Sequence, residues 1–184
     1  MKTKPFQYIK WNFEDDIQKI TLDSQIYTDV DDFIAQIDNN IIIALGLNPS
    51  NTTVFNDDET NLYLRNKFKE KWPGCNGYLL TNLFPIIESN SSNLSIDNID
   101  DSHIDKLIQL LQKTTDNKLV LFFGQTGVSF LNLKIGKMCK LKETLSSRIA
   151  GNTYYTSDGA KFSHPSRCKK TFLLEDFDSK ILDE

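Results

Sequence analysis

The sequence predicts an α/β fold, a three-layer α/β/α sandwich around a central, mainly parallel sheet of about four strands. Three short segments, at 41–46, 77–81 and 118–123, are apolar on both faces, as expected of strands that helices cover on both sides. Segments of helical period separate them, and this alternation favours right-handed crossover connections. The 184 residues suit one domain with its own core.

The N-terminal part, 1–40, is expected to form a strand pair and a helix ahead of the core of the domain at about 41–170. Aromatic and aliphatic residues alternate loosely over 5–23 around an acidic turn at 14–16, which indicates two short strands. A helix is then predicted to begin at Thr28 and to stop before the first buried strand.

A helix is also predicted after each core strand along the chain. The first runs over 61–71, and the next follows a polar surface loop and begins near Ser102. One further helix is expected over 124–138, followed by a strand pair within 152–162 and an acidic C-terminal segment at 171–184.

The composition excludes several classes of protein. With 39% hydrophobic and 25% charged residues, the chain is unlike disordered or low-complexity proteins. No apolar run approaches the ~20 residues that cross a bilayer, so we expect a cytoplasmic protein without membrane contact. The net charge of -4 argues against non-specific coating of nucleic acid, although lysine clusters allow a local basic surface. Scattered cysteines and two histidines predict no metal, iron–sulfur cluster or other cofactor.

Polar residues follow the predicted strands at the sheet edge where ligands bind in α/β folds. Asn48 comes directly before the rigid Pro49, which would hold its carboxamide at a strand end. Asn82 ends a buried strand, where an amide needs every hydrogen bond met. Turn formation also explains the first pattern, and hydrogen bonds to the next loop's backbone explain the second.

The sequence predicts different roles for the two histidines. His164 is followed by Pro165 and Ser166, so a side chain that titrates near neutrality stands beside a hydroxyl suited to phosphate. His103 falls in the first turn of a predicted helix, and we expect it to be exposed and without a role.

These motifs occur in the order of those of the uracil-DNA glycosylase superfamily, which the chain resembles over 41–167. The first looks like the Gly-Ile-Asn-Pro-Gly of its mismatch-specific branch, and the last like the His-Pro-Ser-Pro of its classical branch. The chain resembles more closely an uncharacterised family of bacteria and phages with the same fold. The segments that match that family's pattern are Leu47 to Ser50, Asp57 to Thr60 with Arg65, Asn82 to Pro85, Gly124, and His164-Pro165.

The resemblance implies a DNA glycosylase that extrudes a modified or mismatched base from single- or double-stranded DNA and hydrolyses its N-glycosidic bond. Asn48 would position the attacking water or the sugar, Asn82 would read the base edge, and His164 would stabilise the departing base. The other positions carried over as substrate-binding are Gly46, Pro49 and Pro165 in the motifs, Ser50 and Ser166 on phosphates, and Phe55 as a stacking platform.

The departures from the superfamily concern the acid and the basic residues. Position 48 is Asp in the classical branch, whereas an amide cannot accept a proton. Asp57 and Asp58 are candidates to replace that acid, although a solvated loop or a helix N-terminus explains them as well. Arg65 and Arg167 are further candidates; Arg167 replaces the last proline of His-Pro-Ser-Pro and would contact either phosphate or solvent.

Two alternatives stand beside the enzyme. A non-catalytic module of the same fold could bind nucleic acid, a base or a nucleotide, and the missing carboxylate together with the acidic charge favours it. A protein-interaction module in phage and host conflict would reuse the fold as a rigid surface, with the acidic loops at 97–105 and 175–184 as the interface.

Overall fold

The computed structural model describes most of the chain. The described residues are 3–14, 19–35, 40–49, 59–88, 90–148, 151–165 and 172–183, of which 11–14, 19–24 and 59 are described by their backbone alone.

The described residues form a mixed α/β fold around a seven-stranded sheet. Its strands are β1 (Phe6–Glu14), β2 (Lys19–Tyr27), β3 (Ile41–Gly46), β4 (Gly77–Asn82), β5 (Lys118–Leu121), β6 (Thr153–Ser157) and β7 (Leu173–Asp176). They lie in the order β2-β1-β4-β3-β5-β6-β7. The four central strands run parallel, whereas β1, β2 and β7 are antiparallel to their neighbours. The expected count of about four was too low, because these antiparallel strands extend the parallel core at both edges.

Five α-helices accompany the strands within the described residues. They are α1 (Val30–Ile34), α2 (Glu59–Lys71), α3 (Asp101–Lys113), α4 (Gly124–Leu131) and α5 (Met138–Ser146). The single helix expected over 124–138 was wrong, because the chain turns between α4 and α5 at Gly136, whose φ is 51°. None of the helices in the described part of the chain is long and apolar enough to cross a membrane.

The central strands are buried on both faces, and successive side chains enter different cores. Ile43 and Leu121 belong to a core with buried residues of α3, α4 and α5. Ile42 and Val120 point the other way and join Leu64 and Phe68 of α2 in a second core. The three segments that were apolar on both faces are thereby confirmed as covered strands.

The C-terminal part is built differently from expectation. The strand pair predicted within 152–162 was wrong, since β6 pairs with β7 and only an isolated bridge joins Ser157 to Phe162. The acidic C-terminal segment is part of the fold, because Phe177 and Leu182 are buried in the core. The segment expected as an acidic loop at 97–105 holds the end of a 3-10 turn and the start of α3.

Candidate functional site

The carboxyl ends of two neighbouring parallel strands bring two predicted segments together. Gly46 ends β3 directly beside Asn82, which ends β4 in the same register. The pairing continues beyond both strands, because the Leu83 N–H donates to the Gly46 carbonyl at 2.9 Å and the Phe84 N–H donates to the Leu47 carbonyl at 2.9 Å. The segment that follows Asn82 is therefore fixed against the segment that precedes Asn48.

Gly46 lies beneath two side chains that leave no room for a third. A Cβ on Gly46 would come within 2.5 Å of Phe122 Cζ and 2.6 Å of Asn82 Oδ1. Phe122 follows β5 and is held there by its N–H, which donates to the Leu45 carbonyl at 2.9 Å. The Asn82 carboxamide and the Phe122 ring thus meet over the glycine, and this requires the absence of a side chain at position 46.

The His164 ring lies next to the Phe122 ring. The centroids of the two rings are 5.7 Å apart at an interplanar angle of 49°. The backbone of His164 packs against the turn at Gly124, where a Cβ would come 3.2 Å from the His164 nitrogen and φ is +64°. Gly46, Asn82, Phe122 and His164 form one continuous group, the strand-end cluster.

The loop that carries His164 is held by Asp158. Its carboxylate accepts hydrogen bonds from the Ser163 hydroxyl at 2.9 Å and from the N–H groups of Ala160 and Lys161 at 3.0 Å each. These bonds, the Ser163 bond first, lower the pKa of Asp158. Ser163 is also paired with Thr156 of β6 through its N–H and its carbonyl. The residue before His164 is therefore fixed to the end of the sheet.

Asn48 lies near this edge and is half-buried, but its amide nitrogen is turned toward the protein. Nδ2 donates to the carbonyl of Glu88 and, at 3.4 Å, to that of Pro49. The carboxamide consequently anchors the loop that leads away from β4, and Oδ1 is the atom that remains suited to a water or a ligand.

His103 contradicts the expectation of an exposed histidine. Its side chain is buried in the first turn of α3, 3% exposed, and Nε2 lies 2.7 Å from the carbonyl oxygen of Asn82. Because a carbonyl can only accept, Nε2 carries the proton. Burial lowers the pKa of His103, against weaker opposing effects of the Asn82 bond and Asp100. The ring is therefore neutral at pH 7.

The remaining predicted site residues fall into two groups. Pro49 and Pro165 are buried at the ends of their described segments, and Arg65 lies half-buried in the second turn of α2. The predicted residues outside the described part of the chain are Ser50, Phe55, Asp57, Asp58, Ser166 and Arg167.

Two residues of this edge were missed in the sequence. Phe122 lies inside a strand-like apolar run and has no local signal that separates it from the core. His103 did have one, because its spacing to Leu107 and Leu110 places it on the buried face of α3. Across the described residues, no three His, Cys, Asp or Glu side chains are grouped so that they could hold a metal ion.

Comparison with known proteins identifies a family for the chain. Residues 34–166 match the family described as "Protein of unknown function (DUF1643)", which is more than two thirds of the chain. The chain belongs to this family. No curated protein and no solved structure matches it significantly. The match includes every member of the strand-end cluster, whereas β1, β2 and β7 lie outside it.

Proposed function

We propose that this DUF1643 protein is a DNA glycosylase with the three-layer sandwich of the uracil-DNA glycosylase superfamily, acting in the cytoplasm on a modified or mismatched base. The observation that carries the proposal is the strand-end cluster, in which a buried carboxamide, an aromatic ring and a histidine adjoin at one edge of the sheet. The separate cores on the two faces of the sheet support the three-layer architecture.

Asn82 would recognise the base. A carboxamide offers an acceptor and a donor side by side, which complements a base edge that presents an N–H beside a carbonyl. Asn82 is 3% exposed, so a bound base would exchange its hydrogen bonds with water for hydrogen bonds in a site without water. A base whose donors and acceptors do not complement the carboxamide would leave buried polar groups unpaired, which is costly. The base must first leave the helix stack, as enzymes acting on bases within a duplex require.

His164 would assist departure of the base. In hydrolysis, the bond between the base nitrogen and C1′ of the sugar breaks, and its electron pair leaves with the base. A water oxygen then bonds to C1′ and releases a proton, so the base gains one hydrogen and the sugar a hydroxyl. A hydrogen bond from the imidazole stabilises the negative charge on the base as that charge develops. The Oδ1 atom of Asn48 would hold the water.

Release of free base tests this proposal. Single- and double-stranded oligonucleotides would carry uracil, mismatched thymine or hypoxanthine. We expect release from at least one of them and a reduction of about 100-fold in His164→Ala, as for the loss of one donor to a developing charge. Gly74→Ala is the control, since a Cβ there meets nothing within 4 Å. Release that persists in His164→Ala, or a folded wild type that releases no base, would refute the enzyme.

A non-catalytic module that binds a base or nucleotide is the second candidate, and two observations favour it. The amide nitrogen of Asn48 is engaged with Glu88, and no carboxylate stands at position 48. In the lysine group of 134–142, moreover, Lys137 pairs with Asp105 and Lys142 pairs with Asp183 at 2.6 Å, which reduces the charge left for phosphates. Binding that Asn82→Ala weakens, without base release by the wild type, would favour this candidate.

A further inference from the structure

The carbonyl group of Asn82 faces away from β3. On its other side, toward β1, the backbone offers it no N–H donor. The Leu83 N–H, which belongs to the same peptide plane, points to the Gly46 carbonyl at 2.9 Å. The Asn82 carbonyl therefore points toward β1. In the register of β1 with β4, Phe6 stands opposite Thr81, so the next position opposite Asn82 belongs to Pro5. Proline has no N–H to donate.

His103 supplies the missing donor from α3. Nε2 reaches the Asn82 carbonyl oxygen at 2.7 Å, although 21 residues separate the two in the chain. The peptide between Asn82 and Leu83 is thus held from both sides, by Gly46 at its N–H and by His103 at its carbonyl. Holding this peptide sets the backbone orientation of Asn82 and, with it, the direction of its carboxamide over Gly46.

The other ring nitrogen shows that His103 does more than fill space. Nδ1 is buried and has no hydrogen-bond partner among the described residues, and the ring packs against that of Phe6 with centroids 5.7 Å apart. An unpaired buried nitrogen costs free energy that a leucine or phenylalanine at this position would avoid. The bond from Nε2 is the contribution that an apolar side chain could not make.

We propose that His103 is a positioning residue, which orients the Asn82 carboxamide for the ligand by donating to the Asn82 backbone carbonyl. The ligand part of this inference rests on the proposed function. His103 itself touches no ligand and acts from beneath the strand-end cluster through β4. Orientation of Asn82 therefore requires the Nε2–H donor of His103. A different side chain at position 103 that places a donor at the same distance should take over this role.

Two variants separate the hydrogen bond from the packing. His103→Gln retains an amide N–H donor, whereas His103→Leu fills similar space without one. Leu111→Ala, a buried position at the other end of α3, is the matched control for loss of stability. The readouts are the NMR resonances of the Asn82 side-chain NH₂ group and the affinity for a single-stranded oligonucleotide containing uracil.

In His103→Leu we expect the Asn82 NH₂ resonances to move or broaden and the affinity to fall at least tenfold, and His103→Gln should restore both. Leu111→Ala should lower the melting temperature and leave the Asn82 resonances in place. Unmoved Asn82 resonances in His103→Leu would overturn the inference, whatever the affinity. If the wild type binds none of the oligonucleotides used to test base release, the proposed function fails, and the Asn82 resonances still decide on His103.

Discussion

Gly46 is the residue on which the geometry of the candidate site depends most. The Phe122 ring and the Asn82 carboxamide occupy the space that a side chain at position 46 would need. Any larger residue must displace one of the two groups proposed to line the site. Gly74, in contrast, precedes β4 at the opposite edge of the sheet, and a Cβ there meets nothing within 4 Å.

Gly46→Ala should therefore damage the site and the fold together. We expect a loss of about 1–3 kcal/mol in the free energy of unfolding, the usual cost of overpacking a close-packed position. Gly74→Ala should change stability by less than about 0.5 kcal/mol, as for surface substitutions. Urea unfolding of both variants measures the difference. Equal stability of the two would show that the packing over Gly46 is loose.

Single site residues could be predicted where the local sequence pattern distinguishes them from their neighbours. Asn48, Asn82 and His164 stand out in the sequence because polar residues follow buried strands or precede proline. The hydrogen bond between His103 and the Asn82 carbonyl and the contact of Phe122 with Gly46 join residues that are far apart in the chain. No local spacing encodes such contacts, since the topology of the sheet creates them.

Helix α3 is fixed at both ends by specific side chains. Asp100 caps its start and accepts from the N–H groups of Ser102 and His103, at 2.9 and 3.1 Å. Arg148, buried beyond the end of α5, donates to the carbonyls of Leu111 and Thr114 and of the following Asn117, at 2.9 Å each. Arg148 thereby satisfies carbonyls that the helix end leaves without partners.

Arg148→Met should destabilise the protein strongly, because it leaves three buried carbonyl bonds unmade at a cost of about 3 kcal/mol or more. Lys134→Met removes a charge from an exposed position and should have little effect. The free energies of unfolding of the two variants in urea test this. A loss below about 1 kcal/mol in Arg148→Met would mean that water replaces the guanidinium.

The elements with a strong hydrophobic period were predictable, and those defined by distant partners were not. The burial of Ile104, Leu107, Ile108 and Leu111 on one face of α3 confirms the helical period seen in the sequence. Strand β7 has only exposed and half-buried side chains and exists through its pairing with β6. A short edge strand of this kind has no pattern of its own.

The two ends of the parallel strands differ in the side chains that they carry. At the amino ends of the strands, Trp72 packs on Tyr154 at 4.8 Å between ring centroids, and Lys71 lies 4.7 Å from the Tyr154 ring. Lys71 also donates to the Leu174 carbonyl at 3.0 Å. These contacts fasten α2 to β6 and β7 and serve the fold. The strand-end cluster, which is the proposed ligand site, lies at the opposite edge.

Mapping the ligand onto the two edges tests that claim most directly. The measurement is the change in backbone and side-chain NMR shifts of the full chain as free uracil, and then a single-stranded oligonucleotide containing uracil, is added. We expect the shifts to concentrate at Gly46, Asn82, Phe122 and His164 and to leave Trp72 and Tyr154 unchanged. Shifts centred on Trp72 and Tyr154, or spectra that neither ligand alters, would contradict this placement of the ligand.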